Sequence, residues 1–93
     1  MTIVWKFRIR AGAREEFERH YGPSGTWVQL FRSSRGYLGT ELYRSVADDR
    51  EYLTIDHWVD EAAFRAFRDK HGDAYAALDA QCEALTETEE KIS

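Results

Sequence analysis

The chain has 93 residues, with 13 Lys/Arg against 17 Asp/Glu and a formal net charge of −4. That length holds one domain, residues 1–93, and buries only a modest share of its own surface, so association with a second copy is a natural way to complete the core. The acidic balance, scattered arginines and absence of a long apolar run exclude a nucleic-acid-binding class and a membrane-spanning one; with no signal-like segment the chain is predicted to be cytoplasmic.

Ile3 to Arg10 alternates, with Ile3, Trp5, Phe7 and Ile9 on one side and Lys6, Arg8 and Arg10 on the other. Period two predicts a strand with one apolar face. Ala11-Gly12 breaks it. Residues 14–21 then place Phe17 and Tyr21 four apart behind an acidic first turn, a short helix that Gly22-Pro23 stops. Thr26-x-x-Gln29 reads as a capping box, and Trp27, Leu30 and Phe31 follow at helical spacing, so a second short helix runs to about Ser33. Residues 37–44 and 51–58 are two strand-like runs joined by a hairpin at Ala47-Asp-Asp-Arg50.

Asp60 caps the next helix, which carries Ala63, Phe64 and Phe67 and is expected to end near His71-Gly72. Asp73 then caps a further helix with Tyr75, Leu78, Cys82 and Leu85 on one stripe. Cys82, the single cysteine, fits there as a small buried hydrophobe. Thr86-x-x-Glu89 is another capping box, so the tail reads as helical rather than extended and a fourth strand stays open. The order β-α-β-β-α is the split-βαβ, ferredoxin-like pattern of an α+β fold. Helices cover one face of an antiparallel sheet. Apolar residues on both sides of the hairpin call for cover on the other face as well, most simply a second sheet in a homodimer.

Several segments in this order carry a resemblance to a known group. They are Trp5-Lys-Phe-Arg-Ile9, Tyr21-Gly-Pro-Ser-Gly-Thr-Trp27, Gly36-Tyr-Leu-Gly39, and Asp56-His-Trp58 followed by Ala63-Phe64. Through them the chain resembles the antibiotic biosynthesis monooxygenase-like group of the dimeric α+β barrel superfamily. The resemblance implies a homodimer and oxidation of an aromatic or polyketide-like molecule by oxygen, with no metal, flavin or other cofactor. In the quinone-forming members a tryptophan ends the third strand, an asparagine stands four residues before it and a tyrosine six after. Trp58 matches the tryptophan, whereas Thr54 and Phe64 replace the other two. Haem-degrading members use an asparagine on the first strand, a tryptophan on the following helix and a histidine ligand. Here the first strand has no asparagine, Phe67 stands at the tryptophan position and the ligand position falls near Ala77, which disfavours haem binding or degradation.

The residues themselves offer no paired carboxylates, metal-spaced His/Cys cluster, nucleophile elbow or phosphate loop. His20 is expected to be exposed in a charged helix. His57, alternating with Ile55 and Val59, reads as a structural histidine of core or interface. Asp56 shares a strand side with Thr54 and Trp58, and a carboxylate in an apolar layer calls for a partner, expected to be Lys6 or Arg8 rather than a substrate. Trp5, Phe7, Trp27, Trp58, Phe64 and Phe67 either fill the core or line a cleft between sheet and helices. In the second case the cleft suits a flat apolar ligand. His71, Tyr75 or Asp56 would accept its proton, Trp58 would shape the site, and spacing does not choose among the three acceptors. The competing reading is a non-enzymatic dimeric module for ligand capture or stress association.

Overall fold

The computed structural model describes all 93 residues. The elements run β1 (Thr2–Ile9), α1 (Arg14–Tyr21), α2 (Thr26–Phe31), β2 (Tyr37–Arg44), β3 (Glu51–Trp58), α3 (Glu61–Glu83) and β4 (Thr86–Lys91). The strands form one antiparallel sheet in the order β2-β3-β1-β4, and the fold is the ferredoxin-like α+β arrangement expected from the sequence. Alternation sorts the side chains of β1 and β3. Ile3, Phe7, Ile9, Tyr52, Thr54 and Trp58 are buried under the helices, while Lys6 and Arg8 project from the opposite face.

The β2–β3 pairing contains a bulge. Tyr37 opposes Trp58 but Thr40 opposes Asp56, so one residue more is spent on β2 than on β3. Gly39 takes φ +151° there, a conformation L side chains rarely adopt. The bulge turns Thr40 toward the helices and leaves Leu38 66% exposed. At Gly36 the chain passes so close to α3 that an added Cβ would overlap that of Ala63.

The helix ends and the tail differ from the sequence reading at several points. Asp60 does cap α3, its carboxylate accepting from the Ala63 amide at 2.8 Å. The first helical piece does break at His71, where the sequence reading ended it, and a second piece follows at once, so that the two make one kinked element. α3 runs on to Glu83 across this kink at one non-helical residue, His71 (φ −117°, ψ 25°), with Phe67 buried on the first piece and Leu78 and Cys82 on the second. Thr26 makes no capping box. Gly25 is the N-cap, and the Thr26 hydroxyl is bonded to His20 Nδ1 at 3.0 Å. His20 is therefore buried, not exposed, and burial lowers its pKa. The tail is a strand. Residues 86–91 pair along β1, where unmet backbone groups of the sheet edge outweigh a local capping signal.

Candidate active-site cleft

A cleft of about 270 Å³ opens between the sheet and α3. β1 contributes Trp5 and Phe7 to its wall, β3 contributes Thr54 and Asp56, and β2 contributes Thr40. The register explains the grouping: Trp5 pairs with Thr54, Asp56 with Thr40, and Phe7 with Glu89, so all of them share the helix-side face. Trp27 and Phe31 of α2 close the cleft on one side. Arg68, Tyr75 and Asp79 of α3 close it on another, spaced to lie on one helical stripe.

Of the residues singled out from sequence, Trp5, Phe7, Trp27, Thr54, Asp56 and Tyr75 meet at this cleft. Trp58, Phe64, Phe67 and His71 do not line it. Trp58 is 1% exposed and sealed among Phe31, Tyr37, Phe64 and Phe67, with ring centroids 5.2 to 5.5 Å away. His71 lies against the Phe67 ring and beside the Ser33 hydroxyl, 3.2 Å from Nε2. Sequence reasoning passed over Arg68, Asp79, Glu89 and Thr40. The stripe 68, 75, 79 spans the kink at His71, so Arg68 and the pair Tyr75 and Asp79 belong to the two helical pieces that the sequence reading kept apart. Glu89 needed β4, and Thr40 needed the bulge.

The expected ion pair of Asp56 with Lys6 or Arg8 does not form, because those cations sit on the far face. Lys6 pairs with Glu51, and Arg8 with Asp48 and Glu87. Asp56 instead accepts from the Thr40 hydroxyl at 2.7 Å, and the Tyr37 hydroxyl lies 2.5 Å from that of Thr40. With Thr40 donating its only proton to Asp56, the Tyr37 O–H must donate to Thr40. Burial pushes the Asp56 carboxyl above its ordinary pKa, with the Thr40 bond opposing. Burial likewise raises the Tyr37 and Tyr75 phenols. Glu89 is raised by burial and then by the nearby charges of Asp79 and Glu83. Arg68 stands over the Tyr75 ring with its guanidinium carbon 4.0 Å from the centroid. His57 lies on the opposite face of the sheet, bonded to Glu41 at 2.6 Å.

A family model described as antibiotic biosynthesis monooxygenase matches residues 1–80. The chain belongs to that family. Among solved structures, SnoaB, a cofactor-independent oxygenase from Streptomyces nogalater, superposes with a TM-score of 0.76 at 25% identity over 99% of this chain and 89% of that one. A putative family member from Bordetella bronchiseptica superposes with a TM-score of 0.73 at 20% identity, covering 97% of this chain and 89% of the other. The heme oxygenase (mycobilin-producing) of Mycobacterium tuberculosis is 33% identical over 69 residues, 74% of this chain and 61% of that relative. The chain thus spans about three fifths of the length of the curated relative it matches.

Haem does not suit this cleft. No histidine, cysteine or methionine lines it, burial holds the Tyr21 and Tyr75 phenols away from the ionised form that ligates iron, and three carboxylates on its wall oppose the acidic edge of a haem. His71 faces Ser33 and Phe67 instead.

Proposed function

We propose that the cleft is the substrate site of a cofactor-independent oxygenase acting on an aromatic or polyketide-like molecule, with Asp56 as proton acceptor. The observation that carries this reading is a carboxyl on the wall of an aromatic cleft, held by a single hydroxyl and free of any ion pair. A base working near neutral pH needs a pKa above that of an exposed aspartate, and burial moves Asp56 in that direction. Trp5, Trp27 and Tyr75 supply flat surfaces for the rings. Trp58 acts from behind, buttressing Tyr37 and Phe31 rather than touching substrate.

The chemistry asks for no further reductant. A ring methylene activated by a neighbouring phenol loses a proton to Asp56, and the resulting carbanion reacts with oxygen. One oxygen atom ends as the new carbonyl and the other leaves as water, the CH₂ group supplying all four electrons. Thr40 and Tyr37 donate toward Asp56 and steady it when charged. SnoaB, similar in fold at 25% identity, is described as a cofactor-independent oxygenase, which favours the same class here.

Oxygen uptake with a panel of anthrone-like phenols tests the reading. Consumption of one oxygen per carbonyl formed supports it. Tight binding with no uptake would leave a ligand-capture module instead.

We infer further that two copies pair through the open face of the sheet. Leu38, Tyr43 and Leu53 are 66%, 52% and 37% exposed, and a chain of this size gains a second core by burying them. The molar mass in solution should be twice that of the 10.9 kDa chain. A well-folded monomer would defeat the pairing.

A further inference from the structure

Three of the five tyrosines bond their hydroxyls to a neighbouring side chain: Tyr52 donates to Glu18, Tyr43 to Glu41 and Tyr37 to Thr40, each at 2.5 Å. Tyr21 and Tyr75 make no such bond, and they are the two that line the cleft. Tyr75 is half-buried, within reach of water. Tyr21 is only 8% exposed, held among Phe17, Phe7 and Trp27 with ring centroids 4.3, 4.9 and 6.1 Å away. A buried hydroxyl is ordinarily bonded, and leaving it without an acceptor costs stability.

The polar groups beside Tyr21 do not answer it. The Trp27 N–H is a donor, itself buried without a partner, and the Cys82 thiol is a weak acceptor out of bonding geometry. Burial raises the Tyr21 phenol far above its ordinary pKa, so the proton stays on the oxygen. What remains is a neutral O–H donor on the cleft wall with nothing in the fold to receive it.

Position along the sheet gives that donor a use. Asp56 pairs with Ile3 and Tyr21 packs on Phe7, with Trp5 between them on the same face of β1. Four strand residues span roughly 13 Å. Asp56 and Tyr21 therefore stand at opposite ends of the flat surface that Trp5 offers. When Asp56 takes a proton from a ring CH₂, the electron pair left behind spreads through the ring to a conjugated carbonyl on the far edge. Charge gathering on that oxygen is stabilised most by a donor already in place.

We propose that Tyr21 is a catalytic residue of this site, its hydroxyl donating to the carbonyl oxygen of a substrate whose acidic CH₂ lies on the opposite edge of the same ring. The phenolic proton stays on Tyr21 throughout, and only the C–H proton moves, to Asp56. The assignment rests on the reading of the cleft as a substrate site with Asp56 as its base. It narrows the substrate class to cyclic aryl ketones of this arrangement.

Two inert probes test it without turnover. 1-Tetralone carries a carbonyl and a CH₂ across one ring, and tetralin is the same bicycle without the oxygen. Followed by amide NMR shifts, the ketone should bind the parent about tenfold more tightly, the worth of one good hydrogen bond. In Tyr21→Phe that gap should close while tetralin binds unchanged. The urea midpoint of Tyr21→Phe should stay level or rise, because no bond within the fold is lost. A clear fall in that midpoint would make the hydroxyl structural and overturn the proposal. So would a gap that survives in Tyr21→Phe, or one that closes only in Tyr75→Phe. Equal binding of both probes to the parent would overturn the role of Tyr21 and leave the cleft as a ligand site. Binding of neither would overturn the substrate-site reading along with it.

Discussion

The layer between sheet and helices has two parts with opposite design. Around Trp58 the rings interlock, with Phe31, Tyr37, Phe64 and Phe67 all within 5.5 Å between centroids and Trp58 itself buried. Around Trp5 and Tyr75 the rings also touch, Phe7 against Tyr21 at 4.9 Å and Trp27 against Tyr75 at 5.0 Å, but they line a cleft that has charged groups on the rest of its wall. Aromatic content alone does not tell a core from a site. The presence of Asp56, Arg68, Asp79 and Glu89 among the rings marks the second region, because ionised groups tolerate such a place only where water or a ligand reaches them.

The comparison breaks most visibly at Trp58. Trp58→Ala should cost about 3–5 kcal/mol in urea unfolding, the usual range for removing a large buried ring. Trp58→Phe should cost far less, since it also removes an indole N–H that is buried without an acceptor. A small loss in Trp58→Ala would mean that the packed region does not anchor the fold.

At the cleft the same kind of change should reach function and spare the fold. Asp56→Asn keeps the shape and the Thr40 bond while removing the base, and turnover should fall by at least about a hundredfold. The melting temperature should not drop. Unchanged turnover in Asp56→Asn would take the proton-acceptor role away from this residue.

The smallest effect is the most diagnostic of environment. Because burial raises the Asp56 pKa, the folded chain holds that proton to higher pH than the unfolded chain does. Between the two values the fold binds more protons, so stability falls as pH rises from the ordinary aspartate range upward. Asp56→Asn lacks that fall. The variant and the parent should have equal urea midpoints in acid, and the variant should gain as pH climbs. Asp48 and Glu41, whose pKa values are lowered by hydrogen bonds to Arg50 and Tyr43 among others, lose stability on acidification. They do so in both proteins, and their contribution cancels in the difference. A gap that shrinks with rising pH would mean that Asp56 is stabilised, not strained, in its charged form.

The fold was legible because it rests on periodicity. Ile3, Trp5, Phe7 and Ile9 alternate, the hairpin residues alternate, and Asp60 caps where a capping residue is needed. The errors arose where a local signal met a tertiary demand. Thr26 looked like a cap but was needed by His20, and Thr86 looked like a helix start but its segment was needed by the edge of β1. The cleft was half legible for the same reason. Strand parity put Thr54 and Asp56 with Trp5, but parity alone could not locate Thr40 past a bulge. Nor could it bring Glu89 to the cleft, because that residue stands on a strand whose sequence reads as a helix start.

The break at His71 has a consequence for how such a site changes over time. It divides α3 into a first piece that carries Phe64 and Phe67 onto Trp58 and a second that carries Tyr75 and Asp79 onto the cleft. An unbroken helix would transmit any rotation of one piece to the other, so each change of ligand would disturb the anchor of the fold. With one non-helical residue between them, the ligand-facing piece can drift in sequence and orientation while the anchoring piece stays under constraint. Mutational tolerance should therefore be discontinuous along this helix, low before His71 and higher on the cleft stripe after it, as a deep substitution scan scored for folding would read directly.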